Sequence, residues 1–336
     1  MGMSGGNKKK VIIIGAGLSG CLASNTLDKN KWDVEVYDSS DGSGGPLAHH
    51  KAIMRLREKA IGDAFGLSLR KITVWKGIYF RGEFYDRYMP NVNNLYSKKV
   101  LGYVGERSLG ALGKVDRYTF PAGATIVPAG KVFYSYKLIA VEPGRLIFQT
   151  PEGEKEVFYD FCISTIPLVV LAPLCGFACS PEEIRARPIY LARCGLKIPS
   201  DVFQTFYVPE EKYKIYRASV DGDRLIFEAV APLGPEDVYA EITELTEELF
   251  GLGKEIDCDS FTFHKQDLGK IIENREVSNA AVWWFTDKFK IYSLGRFALW
   301  RPLRMDQVFK DMRIITKMIS LTGTAEAYDR RKRVWA

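Results

Sequence analysis

The chain has 336 residues, of which 46% are hydrophobic and 26% charged, with a formal net charge of +6. That is the balance of an ordinary globular enzyme, long enough for one large domain or two closely joined ones. No apolar run approaches the ~20 residues of a membrane-spanning helix. The first ten residues, "MGMSGGNKKK", carry charge without the apolar core of a signal peptide, so a cytoplasmic setting is expected. Six cysteines without CxxC spacing read as reduced core residues, and three histidines are too few for a His-rich metal site, so no metal is expected.

The first element is "KVIIIGAG", an apolar run ending in glycine, as in a strand buried on both faces of a parallel sheet. Behind it, Leu18, Cys21, Leu22 and Leu27 have roughly helical spacing. Gly15 permits a tight turn, Gly17 lets a pyrophosphate approach the backbone, and Gly20 lets the helix pack on the strand. The helix start at Leu18 and Ser19 offers free N–H groups and a positive dipole end. "WDVEVYD" is a second strand. It ends at Asp38, eighteen residues past Gly20, where a carboxylate can accept both hydroxyls of an adenosine ribose. The order strand, glycines, helix, strand, acid predicts dinucleotide binding.

Next comes "SSDGSGGPL", which begins at Ser39 and sets Gly44, Gly45 and Pro46 a short way beyond the acid. This arrangement resembles the large flavoprotein superfamily that includes amine oxidases, protoporphyrinogen oxidase and UDP-galactopyranose mutase. In that family an acid ending the second strand is followed, at this distance, by a Gly-Gly pair over the FAD diphosphate. The resemblance therefore implies FAD, held by Gly15, Gly17, Leu18, Ser19, Gly20, Asp38, Ser39, Gly44, Gly45 and Pro46. The chain departs from the pattern twice: Asp38 replaces the usual Glu, and Gly42 stands where an Arg often precedes the pair. His49 and His50 follow, where the family's chain passes over the flavin. Either imidazole is a candidate proton carrier there, or else an ordinary structural histidine.

Residues 51–107 carry twelve Lys/Arg against five Asp/Glu, interleaved with Trp75, Phe80, Phe84, Tyr85, Tyr88, Tyr96 and Tyr103. Such a segment can grip phosphates and stack bases, which makes nucleic acid a candidate partner. The plainer reading is a solvated face over an aromatic core.

"KVFYSYKLIAVEPGRLIFQTPEGEKEVFYDFCISTIP" reads as hairpin strands turning at "EPG" and "PEGE", followed by a buried strand. It resembles the family's meander, which returns to the main sheet at Thr165-Ile166-Pro167 and lends backbone groups near Val132 to the adenine. Beyond it, "RPIYLARCGLKI", "VFQTFYVP", "YKIYRASV" and "RLIFEAVAPL" read as an antiparallel sheet, and "GPEDVYAEITELTEELFGLG" as a helix. "FYVPEEKYKIYRAS" is similar to a mutase segment whose arginine lies beside flavin and substrate, so Arg217 is a candidate active-site cation. His264 reads as an outward strand residue.

Last comes "IYSLGRFALWRPLRMDQVFKDM", a short strand broken by Gly295 and a helix capped by Asp306 and stopped by Gly323. Val308, Met312, Ile315 and Ile319 fall on one face of that helix. In the family, such a helix N-terminus faces the flavin pyrimidine ring, which implicates Gly295, Arg296, Met305, Asp306 and Gln307. Arg296 and Arg301, with Arg217, would suit a carboxylate or phosphate on the substrate.

The expected fold is α/β: a Rossmann-type FAD-binding domain of the glutathione-reductase-like, amine-oxidase type with an inserted α+β substrate domain. The cofactor part spans 8–60, 110–175 and 280–325, and the substrate part 61–109 and 176–279. The first functional expectation is oxidation of a C–N bond in an amine or amino-acid-like substrate, with hydride passing to flavin N5. The second is a redox-neutral sugar isomerase like UDP-galactopyranose mutase. The third is a flavoenzyme acting on a modified base or an amine carried on nucleic acid.

Overall fold

The computed structural model describes residues 8–43, 55–104, 109, 112–121 and 123–321. Gly44, Gly45, Pro46, His49, His50, Gly323 and the basic C-terminal run lie outside the described residues.

The chain begins with β1 (Lys9–Ile14), α1 (Leu18–Thr26) and β2 (Trp32–Tyr37). It continues through α2 (Ala60–Ala64), β3 (Arg70–Phe80), β4 (Glu83–Tyr85), α3 (Pro90–Leu101) and β5 (Gly113–Thr119). After β6 (Lys131–Phe133), a meander of β7 (Lys137–Glu142), β8 (Arg145–Thr150) and β9 (Gly153–Phe158) leads into β10 (Phe161–Ser164) and α4 (Leu168–Leu174). Four strands then follow: β11 (Arg185–Leu196), β12 (Phe203–Tyr207), β13 (Ile215–Asp221) and β14 (Arg224–Ala229). A helical stretch enters through Pro235–Asp237 and a π-helical Val238–Ile242 and runs into α5 (Thr243–Phe250). The long β15 (Ile256–Ile272) precedes α6 (Arg275–Phe289), β16 (Ile291–Ser293) and α7 (Met305–Leu321).

Five strands form a parallel sheet in the order β16-β10-β1-β2-β6. It is buried on both faces, which is why "VIII" reads as unbroken apolar sequence. Val11 and Ile13 pack with Leu22 of α1 and with Val308, Met312 and Ile315 of α7. Ile12 and Ile14 point the other way, onto Phe148 of the meander, Leu168 and Leu171 of α4, and Phe285 of α6. Two ends of the chain thus share one core.

The second sheet has the order β15-β11-β14-β13-β12-β3-β4, with β5 also paired to β3. One face buries Phe206, Ala218 and Phe227 against Leu245 and Leu249 of α5. On the other face, Ile78, Tyr207 and Leu191 pack against Val92, Tyr96 and Val100 of α3.

Two local expectations are corrected. Gly113–Thr119 was expected with the cofactor-binding part, but it pairs antiparallel with β3 in the larger sheet. Its half-buried alternation suits an edge strand rather than a parallel sheet covered on both faces. Asp306 is not the helix cap. Arg304 takes that place: its carbonyl accepts from Val308 N–H at 3.1 Å, and Gln307 Oε1 reaches back to Arg304 N–H at 3.0 Å. Among the described residues no helix is long and apolar enough to cross a membrane. All six cysteines are free; four are buried, while Cys179 is partly exposed and Cys258 exposed.

Candidate dinucleotide and substrate site

Between β1 and α1 the backbone is shaped by three glycines, each for a different reason. Gly15 has φ +101°, and a Cβ there would lie 2.4 Å from Thr165 Oγ1. Thr165 is fixed at the end of β10 by donating its hydroxyl to Ile14 O at 2.9 Å, so it braces the turn. A Cβ on Gly20 would sit 1.8 Å from Gly15 O, so only glycine lets α1 approach this closely. Gly17 has no such protein constraint: an added Cβ meets nothing within 4 Å, and no side chain caps α1. The open side at Gly17 and the uncapped helix start leave room and first-turn N–H groups of Leu18, Ser19 and Gly20 that could hold an anion such as a pyrophosphate.

Asp38 stands at the β2 end of this loop. Oδ2 accepts from Ala16 N–H at 2.5 Å and Oδ1 from Ser40 N–H at 2.8 Å, so the carboxylate pins the loop while retaining acceptor capacity for a ribose. Ser39 beside it is exposed. Val132 pairs in register with Val36, and Tyr37 stacks on Phe133 at 4.7 Å. Tyr136 N–H donates to Asp38 O and Ser135 N–H to Ser40 O, both at 2.9 Å. A cavity of about 590 Å³ opens beside these residues, lined by Tyr134, Ser135, Tyr136, Glu152 and Lys155.

The closing segment meets the glycine loop directly. Leu294 N–H donates to Ser164 O at 2.9 Å, and Gly295 follows with φ +96°. A Cβ on Gly295 would lie 2.3 Å from Ser19 Oγ, so the start of α1 and the turn after β16 are in contact. Met305, Asp306 and Gln307 form the first turn of α7, with Asp306 buried and paired to Arg304 at 3.3 Å. Arg296 donates to Gly269 O at 3.3 Å and lies 5.1 Å from the Phe297 ring centre. Arg301 faces Glu273 at 3.6 Å. Burial pushes the Asp311 carboxyl up to about 6, against the pull of Arg301.

On the larger sheet, Arg217 pairs with Glu228, a carboxylate that is 7% exposed. Glu228 also accepts from the Tyr216 hydroxyl and from Lys270 Nζ at 3.3 Å. Lys270 lies 4.7 Å from the Tyr216 ring centre. A register shift between Ile215 and Arg217 lets Tyr216 and Arg217 reach the same carboxylate. Arg296 touches the residue before Lys270, so Arg217 and Arg296 belong to one neighbourhood, whereas Arg301 is held farther along the chain by Glu273. His264 is exposed on β15. Sequence reasoning missed Glu228 and Lys270. Their signal is an ionisable residue amid apolar neighbours in "LIFEAVA" and "LGKII".

The class these features define is an α/β protein with a dinucleotide-binding Rossmann-like domain and a mixed-sheet domain. Residues 13–57 match the family described as NAD(P)-binding Rossmann-like domain. No curated protein sequence matches the chain. Among solved structures, reduced UDP-galactopyranose mutase is similar with a TM-score of 0.69 and 16% identity, covering 95% of this chain and 96% of that one. A protein assigned as a protoporphyrinogen oxidase from Exiguobacterium sp. 255-15 has a TM-score of 0.57 and 13% identity, covering 95% and 100%. The CLA-producing fatty acid isomerase from P. acnes has a TM-score of 0.58 and 10% identity, covering 96% and 100%. The chain shares the fold of these proteins along nearly its whole length.

Proposed function

We propose that this chain is an FAD-dependent oxidoreductase whose two ends hold the cofactor and whose larger sheet holds the substrate. The observation that carries this reading is the open cradle at Gly17, closed on its far side by the contact of Gly295 with Ser19. Gly17 and the α1 N-terminus take the diphosphate, Asp38 the ribose hydroxyls, and the α7 N-terminus the electron-rich edge of the ring system. Bound FAD supplies a hydride acceptor, which suits oxidation of a C–N bond in an amine or amino-acid-like substrate. The chain's own work is to orient that bond, exclude water and hold charge. The Tyr216–Glu228–Lys270–Arg217 network is rigid enough to position a polar substrate group, because each member fixes another.

The segment around Tyr216 and Arg217, together with the likeness in fold to the mutase, favours a second reading, a redox-neutral sugar isomerase. Reconstitution with FAD followed by anaerobic addition of amines separates the two. Bleaching of the flavin bands by an amine supports oxidation. Turnover of UDP-galactose only after dithionite reduction supports the isomerase. A protein that stays colourless after reconstitution overturns both.

A further inference from the structure

Lys76 lies at an inward position of β3, in step with the buried Val74 and Ile78. Its partner in register on β12 is Thr205, which in turn pairs with Ser219 on β13. Arg117 of β5 projects from the same face, opposite Ile72, and Arg217 lies in the neighbouring row through Tyr207. Arg55 crosses this face, donating to Thr205 Oγ1 at 2.6 Å and to Val220 O at 3.1 Å, with Asp221 at 3.3 Å. Arg117, Arg55, Arg217 and Arg57 all stand close enough to repel the charge on Lys76. Arg57 and Arg304 likewise oppose Arg117, and Asp306 attracts it.

The charges do not balance. Asp221 answers Arg55, Glu228 answers Arg217, and Asp306 answers Arg304. Among the described residues, no carboxylate lies within ion-pair distance of Lys76, Arg57 or Arg117. Clustered cations without counter-charges raise the free energy of the folded chain unless an anion joins them.

We infer that Lys76, Arg57 and Arg117 form a docking subsite for a multiply charged oxyanion carried by the substrate. This deepens the flavoenzyme reading, on which the word substrate rests, by naming the chemistry of the substrate's far end. Arg117 feels Asp306 of the first turn of α7, so the anion sits on the side of the larger sheet that faces the cofactor-binding part. Two guanidiniums offer forked donors and the ammonium a point charge, a set that takes either a diphosphate or a polycarboxylate. Burial and the four neighbouring arginines push the Lys76 amine down to about 8, so the free site sheds part of its charge in mildly alkaline solution. An arriving anion restores the proton.

The test is calorimetric titration of the full chain, with and without FAD, using inorganic pyrophosphate in one arm and citrate in the other. Saturable binding of pyrophosphate assigns a phosphate-bearing substrate, and of citrate a polycarboxylate. Lys76→Met should weaken binding on the order of tenfold or more, the worth of one charge-assisted hydrogen bond, while Arg70→Met, on the exposed end of β3, leaves it unchanged. Wild-type affinity should fall as pH rises past about 8, because the neutral amine no longer pairs with the anion. Lys76→Arg should keep the affinity and lose that pH limb, a result a merely structural lysine does not give. Absence of binding by both probes overturns the subsite, as does a Lys76→Met variant that binds like wild type. Pyrophosphate that blocks FAD loading also overturns it, since the cations would then serve the cofactor. Failure to take up FAD, with anion binding intact, sinks the flavoenzyme reading and leaves the subsite standing.

Discussion

Gly17, the N-cap of α1, and Gly20 in its first turn lie about one helical turn apart, yet a side chain at each should have opposite consequences. At Gly20 a Cβ would be 1.8 Å from Gly15 O and 2.9 Å from Gly15 C. Ordinary contact needs about 3.5 Å, so α1 must retreat from β1 by more than an ångström. The obstacle is backbone and has no rotamer to change, so Gly20→Ala should cost about 3–5 kcal/mol, above the range for an overpacked side-chain site. Such a loss removes much of a typical domain's stability. At Gly17 the added atoms meet no protein, and the cost is that of a poorer N-cap, about 1 kcal/mol. Gly17→Val should therefore fold and lose FAD, because its branch fills the space the pyrophosphate requires. Urea unfolding of flavin-free protein reads the first effect, and the ratio of flavin to protein absorbance after reconstitution reads the second. The reasoning fails if Gly17→Val destabilises the flavin-free chain as much as Gly20→Ala, or if it retains full flavin.

Three further outcomes rest on separate observations. Gly295→Ala combines a φ of +96° with a 2.3 Å approach to Ser19 Oγ, so it should destabilise by about 2–3 kcal/mol, and adding Ser19→Gly should recover only the contact part in a double-mutant cycle. Lys99, buried in α3, donates from Nζ to the carbonyls of Val208, Glu210 and Ile215 at 2.9, 2.7 and 2.7 Å; Lys99→Met leaves all three unanswered and should cost about 2–4 kcal/mol in urea unfolding. Asp311 has its folded pKa raised from 3.8 to about 6, so between those values the native state holds a proton that the unfolded state has lost. Stability therefore falls as pH rises through that window and stays lower above it. Asp311→Asn should remove the slope and raise the melting temperature above pH 6, and an unchanged pH profile would count against the burial argument.

What could be read from the sequence was whatever depends on neighbours in the chain. "VIIIGAGLSG" carries its strand, turn and the start of its helix within ten residues, because burial on both faces and the glycine geometry are local demands. The α7 stripe of Val308, Met312, Ile315 and Ile319 is buried as its spacing implies. Sheet partners were harder. Nothing local in "GKVDRYT" says that it pairs with β3 some forty residues earlier rather than with the adjacent parallel sheet. Asp306 reads as the cap of α7 because Asp is a common cap, whereas Arg304 holds that place and Gln307 bonds back to its N–H. Gly295 was chosen by motif, but its contact with Ser19 joins residues nearly the whole chain apart. The oxyanion subsite left one legible trace. In "ITVWKGIYF" a lysine occupies the parity of Val74 and Ile78, where an inward residue should be apolar.

That misplaced lysine also explains why the position is not an arginine. Of the five neighbouring cations, Arg55 and Arg217 have carboxylate partners, and the repulsion among Lys76, Arg57 and Arg117 eases in alkaline solution only where one of them can shed its charge. A guanidinium cannot do so, whereas an ammonium pushed down to about 8 can. Placed on β3, between β5 and β12, the amine is held by strands rather than by a loop, so it does not escape the repulsion by swinging into solvent. The same repulsion that weakens the empty site sharpens its response to an anion. Binding recovers both the ion-pair energy and the proton, and the gain falls on whichever ligand end carries several negative charges rather than one. A monoanion leaves much of the cluster unanswered. Discrimination between substrates in this site would therefore follow charge number more closely than shape.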